Sequence, residues 1–467
     1  MKTVASAGQA AKSQLEYAVT DRVGASQGLF YLYLYFIVDF FFHLSQRIPG
    51  YGLLRPTLLL VLLIFGMLVA QKHLFANWHR SNVARAFLVL VVYIVLTLPL
   101  VEWPGSVIKN NVPEFVKAVV FLIFTSVIID SERRLKVFLV VFVSAQLFRI
   151  LEPLFLNVTQ GYWGSRTHLG GGEFSARLAG APSDVINPNE LGFVIATAFP
   201  FVHYFLLSGR WFSKLLYFML IPLMLYALVL TQSRGAIIAM AVVGFFIFKK
   251  SNRKILLISV AILAMAAGWS KMSDQHKDRY LSLIGMASSG NQHSVEGRFE
   301  GMAREFSLAM ERPIIGHGLG TTKEAKFHHY GQSQASHNLY AELWIELGFI
   351  GFVIFIYFLY QIYRQIGRIN LGIRYINDHF YNNLRSALIA VFWMYAVYSI
   401  NYWGLSQYYW YLFAGLTMVV LSLVNRKNAS KADHPPISGQ ASARFSTLVA
   451  TNDRAGDHYS TFRHSRR

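Results

Sequence analysis

LLYFMLIPLMLYALVLTQSRGAIIAMAVVGFFIF, residues 215–248, decides the fold. Two apolar runs, 214–231 and 235–249, are separated by little more than Gln232, Ser233 and Arg234. Lysines stand at their far ends, at Lys214 and at Lys249-Lys250. A bilayer core is crossed by a helix of roughly 17 to 25 apolar residues. Inside that core a backbone has to satisfy its own polar groups, which a helix does. The stretch therefore reads as two antiparallel membrane helices, with an arginine turn at one face and lysines at the other.

The same pattern runs through the chain. Twelve spans are expected, at 29–44, 53–71, 86–101, 113–130, 137–158, 188–207, 214–231, 235–249, 255–269, 337–361, 386–401 and 407–425. Of 467 residues, 54% are hydrophobic and only 14% charged. A soluble domain of this length needs more polar surface, so the class is an all-α polytopic membrane protein of about twelve helices. With the N-terminus inside, the short inward loops carry Lys72, Arg80, Arg85, Arg133, Arg134, Lys136, Arg210, Lys214, Lys249, Lys250, Arg253, Lys254, Arg364, Arg368, Arg374 and Arg385. The short outward loops carry only Arg47, Arg55, Lys109, Arg166, Arg177 and Arg234. This is the positive-inside bias. It accounts for much of the +19 net charge, and with no stacking-aromatic basic motif nucleic acid is not the expected partner.

The expected organisation is a polar cytoplasmic segment at 1–28, helices one to nine over 29–269, a partly helical periplasmic loop at 270–336, helices ten to twelve over 337–425, and a disordered basic cytoplasmic tail at 426–467. The first apolar run lacks a small-residue cleavage site, so a retained helix is expected there. Trp403 and Tyr408 to Tyr411 read as interfacial aromatics. Cysteine is absent, which excludes disulfides and thiolate chemistry.

Four outward elements carry candidate chemistry. Thr231-Gln-Ser233-Arg234-Gly235 places a guanidinium, a hydroxyl and a glycine between two helices. Guanidinium pairs with phosphate through two parallel bonds, and glycine permits close backbone approach. The bland alternative for Arg234 is an interface anchor. Arg177, in a glycine-rich loop that also holds Arg166, has no evident structural duty and is a candidate anion ligand. Asn187-Pro188 reads as a helix cap. Gly297-Arg298, Arg304 and the Pro313–Gly320 segment follow. Arg298 and Arg304 either bind anion or are solvated helix charges paired with Glu300, Glu305 or Glu311. The glycine run either cradles phosphate or, more simply, makes a tight turn. Last, His337-Asn338 stands where the long loop enters the tenth span, and an imidazole there can accept a proton from a hydroxyl. Glu342 and Glu346 fall on one face inside that span, where buried acids need partners. Arg149 is the expected one. No HExxH and no outward Asp-x-Asp pair is present, so no metal or other cofactor is expected, and His328 and His329 read as surface residues.

Together, Thr-x-Ser-Arg-Gly at 231–235, Gly297-Arg298 in a long outward loop, Pro313-Ile-Ile-Gly316-x-Gly318, and His337-Asn338 followed by Glu346-Leu-Gly348 and Gly351 resemble the O-antigen ligase and polymerase superfamily. The match covers roughly 160–360. The resemblance implies a metal-independent, inverting glycosyltransferase of the inner membrane, with its active site facing the periplasm. It would take a glycan from undecaprenyl diphosphate and pass it to a periplasmic acceptor hydroxyl. Ligases pass it to lipid A core, polymerases to another lipid-linked unit. By the same resemblance His337 is the base, and Arg234 and the loop arginines Arg177, Arg298, Arg304 and Arg166 bind the diphosphate; Ser233 and Asn338, beside Arg234 and His337 in sequence, are expected to bind substrate. An arginine-and-glycine spacing with ten intervening residues, associated with some polymerases, is absent from both long loops. That tilts the reading to ligase, with polymerase as the alternative. A transporter or flippase is the alternative from another class. It would place ionisable groups in broken midplane helices, often with an internal repeat, and no repeat is visible.

Overall fold

The computed structural model describes residues 24–170, 173–255, 259, 277, 289–402 and 404–433. For 167–170, 173–175, 289–299 and 432–433 it gives the backbone alone. The expected cytoplasmic segment up to residue 23, nearly all of the ninth span, Trp403 and the tail beyond 433 lie outside the described residues.

The main elements are α1 (Gln27–Phe42), α2 (Pro56–Ala70), α3 (Asn82–Thr97), α4 (Val112–Ile128), α5 (Glu132–Gln160), a hairpin of β1 (Gly164–Gly170) and β2 (Glu173–Leu178), α6 (Pro188–Leu206), α7 (Trp211–Leu230), α8 (Arg234–Lys250), α9 (Ser289–Glu311), α10 (Thr322–Tyr330), α11 (Leu339–Ile376), α12 (His379–Tyr398) and α13 (Tyr408–Asp433). The fold is an all-α membrane protein. Among the described residues seven helices are long and apolar enough to cross a bilayer: Tyr51–Ala70, Asn82–Leu100, Pro104–Ile128, Glu132–Gln160, Trp211–Leu230, Leu339–Ile376 and Tyr408–Lys431. α1 is a shorter apolar helix. Helices also stand at the expected sixth, eighth and eleventh spans, and with the ninth outside the described residues the exact count of twelve crossings is not confirmed.

Several boundaries differ from expectation. α11 runs on to Ile376, well past 361, because Ile362, Gln365, Ile366, Ile369 and Ile373 continue a buried stripe at helical spacing. The charges on its other face read in sequence as a loop. α13 likewise runs to Asp433, into the expected tail. Arg426 Nη1 there donates to the Asp130 carbonyl at 2.9 Å, and Lys427 Nζ meets Asp378 Oδ2 at 2.6 Å.

α13 sits at the centre of the bundle, packed on α4 and α11. Tyr409, Trp410 and Tyr411 are fully buried in it, so they are core residues and not interfacial aromatics. Tyr409 meets the Phe193 ring edge-on at 5.0 Å, and Trp410 meets Phe392 at 5.7 Å. Lipid is as apolar as these side chains, so close packing and small residues hold such helices together. Gly415 shows this: a Cβ there would lie 2.9 Å from both Leu122 O and Thr125 Cβ on α4.

α11 is broken near its start. Gly348 has φ 65°, a left-handed conformation that favours glycine. The Pro313–Gly320 segment fills the break. His317 and Gly318 donate their N–H groups to the carbonyls of Ile345 and Glu346 at 2.8 and 2.9 Å, and Phe349 N donates to Pro313 O at 2.7 Å. Glu346 completes the seam by accepting from Gly320 N and Thr322 Oγ1, both at 2.7 Å. Glu342 accepts from Gly404 N and Leu405 N at 2.8 and 3.2 Å. The expected pairing of these acids with Arg149 is therefore not made. Arg149 Nε instead meets Asp184 Oδ2 at 2.7 Å, where the loop before α6 folds back on α5.

Candidate functional site

Three helix N-termini meet around the turn between α12 and α13. α6 starts at Asn187, whose side chain caps Asn189 N and Glu190 N at 2.9 and 3.0 Å while Glu190 reaches back to Asn187 N. This is the expected cap. Tyr398 Oη at the end of α12 donates to the Asn189 carbonyl at 2.6 Å. α8 starts at Ser233, whose Oγ accepts from Ala236 N at 3.2 Å. Its Gly235 lies against the same turn, since a Cβ there would come 3.4 Å from Tyr398 Cε2 and 3.8 Å from Asn401 Cβ. α11 starts at Asn338, whose side chain accepts from Tyr340 N at 2.9 Å, and Leu339 N donates to Tyr402 O at 3.0 Å. Each helix end carries a partial positive charge and outward-facing N–H groups, so the three together favour an anion.

Arg234 is the first residue of α8 and is buried to 5% exposure. A buried arginine at a helix N-terminus does not fit a snorkelling anchor. The turn before it is held from the hairpin. Arg177 Nε donates to Thr231 O and its Nη2 to Asn189 Oδ1, both at 2.9 Å, and Gln232 Nε2 donates to Ala176 O at 2.7 Å. Gln232 sits in the left-handed region at φ 48°. Arg177 thus has a structural duty that its glycine-rich context hid: it ties β2 to the starts of α6 and α8.

Cross-strand partners share a hairpin face, and Arg177 pairs with Ser165 while Arg166 pairs with Ala176. Arg166 is therefore on the opposite face from Arg177, and it is exposed. Arg304 is exposed on α9, 3.8 Å from Glu300, which is the solvated-charge reading. Arg298 is on α9, its side chain outside the described residues. His337 is exposed one residue before the Asn338 cap. Ser336 Oγ steadies this segment by donating to Asn338 O at 2.9 Å. So Arg177, Ser233, Arg234 and Asn338 stand at the three linked helix starts, with His337 one residue before the Asn338 cap, whereas Arg166 lies on the other face of the hairpin and Arg304 on exposed α9.

The sequence reading gave no role to Asn189 beyond its place in the Asn187–Glu190 turn, and it missed Tyr398 and Tyr402. Burial pushes the Tyr402 phenol well above its ordinary value, with Glu190 acting in the same direction, so it stays protonated. Their only signal was position, at the two ends of spans facing the arginine turn. The glycine run is not a phosphate cradle, because the N–H groups of His317, Gly318 and Gly320 are bonded to α11. His328 and His329 are exposed, as expected of surface residues, and each has a partner. His328 stacks on Trp103 at 5.2 Å, and His329 Nε2 lies 2.8 Å from Glu311 Oε2.

The site is thus a buried arginine and three capped helix ends in a helical membrane bundle, with an exposed histidine one residue before one of the caps. Residues 219–356 match the family model described as O-antigen ligase, and this partial match supports the O-antigen ligase and polymerase superfamily. Members are glycosyltransferase-like enzymes. The matched span holds Arg234, the Pro313–Gly320 segment, His337 and the Gly348 break, and it starts after Arg166 and Arg177. No curated protein matches the chain.

Proposed function

We propose that the protein transfers a glycan from an undecaprenyl diphosphate-linked donor to an acceptor hydroxyl at the periplasmic face of the inner membrane, as an O-antigen ligase that uses lipid A core. The observation that carries this reading is the convergence of buried Arg234 with the N-termini of α6, α8 and α11. A diphosphate leaving group needs its developing charge stabilised more than it needs a proton, and fixed donors in a site shielded from water do that. Arg234 and the α8 N-terminus bind the diphosphate. Arg177 holds their turn in place, and Arg298 on α9 is the second clamp the reading assigns.

His337 takes the proton of the acceptor hydroxyl as its oxygen attacks the anomeric carbon. The bond from that carbon to the diphosphate oxygen breaks, and lipid diphosphate leaves. A single displacement inverts the anomeric centre, and no metal enters the chemistry. The intramembrane acids favour this reading over transport, because each has a partner that holds structure: Asp39 with Thr57, Glu152 with Arg47, and Glu342 and Glu346 with backbone N–H groups.

The test is the envelope glycan profile of a deletion strain complemented with wild type, Arg234→Ala or His337→Ala. Ligase predicts bare lipid A core with long lipid-linked polymer accumulating, in the deletion and in both variants. Core carrying a single repeat would mean a polymerase instead. An unchanged profile would remove the glycan-transfer reading.

A further inference from the structure

A second polar cluster lies where α9 and α10 pack against the bundle. Glu102 follows α3, His317 lies in the glycine run, and His329 is near the end of α10. One ligand atom from each of the three lies within 4.8 Å of the others. His317 is 1% exposed and stacks on Trp103 at 5.8 Å, and its ring nitrogens meet two acceptors. Nε2 lies 3.1 Å from the Leu308 carbonyl, and Nδ1 lies 2.6 Å from Glu102 Oε2. A carbonyl only accepts, so Nε2 carries the proton. Nδ1 of the neutral ring then turns a lone pair on a carboxylate oxygen. Two acceptors that close repel unless a cation lies between them.

That cation is a proton or a metal ion, and the surroundings favour the metal. A buried imidazole that gives its outer N–H to a backbone carbonyl, with its inner nitrogen facing another ligand, is how metal-bound histidines are oriented. A second imidazole, His329, stands 5.9 Å from His317 between ring centroids, steadied by Glu311. Arg312 Nη1 is 3.9 Å from Glu102 Oε2, but its Nη2 is turned to the Leu100 carbonyl at 3.0 Å. Two imidazoles and a carboxylate suit a borderline divalent cation.

We propose that Glu102, His317 and His329 bind one divalent cation of the zinc class, with water in the fourth position. Bonds of about 2.0–2.2 Å in tetrahedral geometry open the Nδ1–Oε2 contact to roughly 3.3 Å, which the partly exposed Glu102 accommodates by rotation. The ion ties the turn after α3 to the glycine run and to α10. None of the three residues is assigned to the glycan-transfer chemistry, so the proposal is independent of that reading.

The test uses the full chain in detergent, purified through a histidine-free tag, stripped with chelator and titrated with Zn²⁺ by calorimetry. One ion per chain is expected, with affinity falling at least about tenfold in both Glu102→Gln and His329→Ala. Chelation should lower the melting temperature of wild type and leave that of the variants unmoved. Absence of saturable Zn²⁺ binding to wild type, or equal affinity in wild type and both variants, would overturn the proposal and leave a shared proton at His317.

Discussion

Arg177 Nε donates to the Thr231 carbonyl at 2.9 Å, across fifty-four positions of sequence, and so joins the β-hairpin to the turn that delivers Arg234. The same guanidinium reaches Asn189 Oδ1 on α6. One side chain thereby sets the relative placement of two helix N-termini.

Arg177→Ala is expected to remove two charge-assisted bonds worth about 1.5–3 kcal/mol each before relaxation. Arg177→Lys cannot restore both, because an ammonium lacks the planar fork. Both variants should melt earlier in detergent and transfer glycan more slowly. Wild-type melting and rate for Arg177→Lys would show that the tie does not position Arg234.

Arg234→Lys keeps the charge and loses bidentate geometry. Transfer is expected to fall on the order of 10²-fold, the usual cost of removing one donor to a developing oxyanion. The check is the rate of lipid-linked donor consumption at matched protein levels, and a loss under threefold would move the diphosphate site elsewhere.

Asn338→Ala loses the cap of α11, at about 1 kcal/mol, while Asn338→Asp retains it. If the cap serves to place His337, activity should follow stability in this pair. Full activity in a destabilised Asn338→Ala would detach the cap from the chemistry.

Gly348→Ala puts a Cβ into the left-handed region and against the Ile314 backbone. The backbone penalty alone is about 1–2 kcal/mol, and the seam with Pro313–Gly320 has to open as well. Loss of folded protein, seen by size-exclusion chromatography, is expected. A monodisperse variant with wild-type melting would contradict the account of the break.

Burial of Asp378, between α11 and α12, raises its carboxyl pKa, but Lys427 and the Phe380 N–H outweigh that and hold it below the ordinary value. A carboxylate depressed in the folded state contributes stability above its unfolded pKa and loses it as pH falls through the folded one. Wild type should therefore lose melting temperature below about pH 4 through this group. Asp378→Asn should lack that component, and equal acid sensitivity in the two would refute it.

Hydropathy and loop charge made most of the bundle legible, because membrane helices announce themselves by length. The hairpin was legible but unread: Gly164–Gly170 and Glu173–Leu178 flank Gly171-Gly172, a two-residue turn signal hidden in a glycine-rich stretch. Arg234 and His337 could be picked out because charge and imidazole at a membrane boundary need a reason. The partners of Glu342 and Glu346 could not, since donors brought in by the turn before α13 and by Gly320 and Thr322 leave no mark in sequence. The burial of Tyr409 to Tyr411 was equally invisible, because an aromatic run reads the same beside headgroups and inside a core.

The most direct measurement is transfer by purified, reconstituted protein from an undecaprenyl diphosphate-linked glycan to lipid A core, comparing wild type with His337→Ala. His337 is exposed, so the variant should fold and melt as wild type does. Release of undecaprenyl diphosphate by wild type, slowed about 10²-fold or more in the variant, is the predicted result. Equal rates in the two proteins, or no release by wild type with either lipid A core or a lipid-linked repeat as acceptor, would contradict the account.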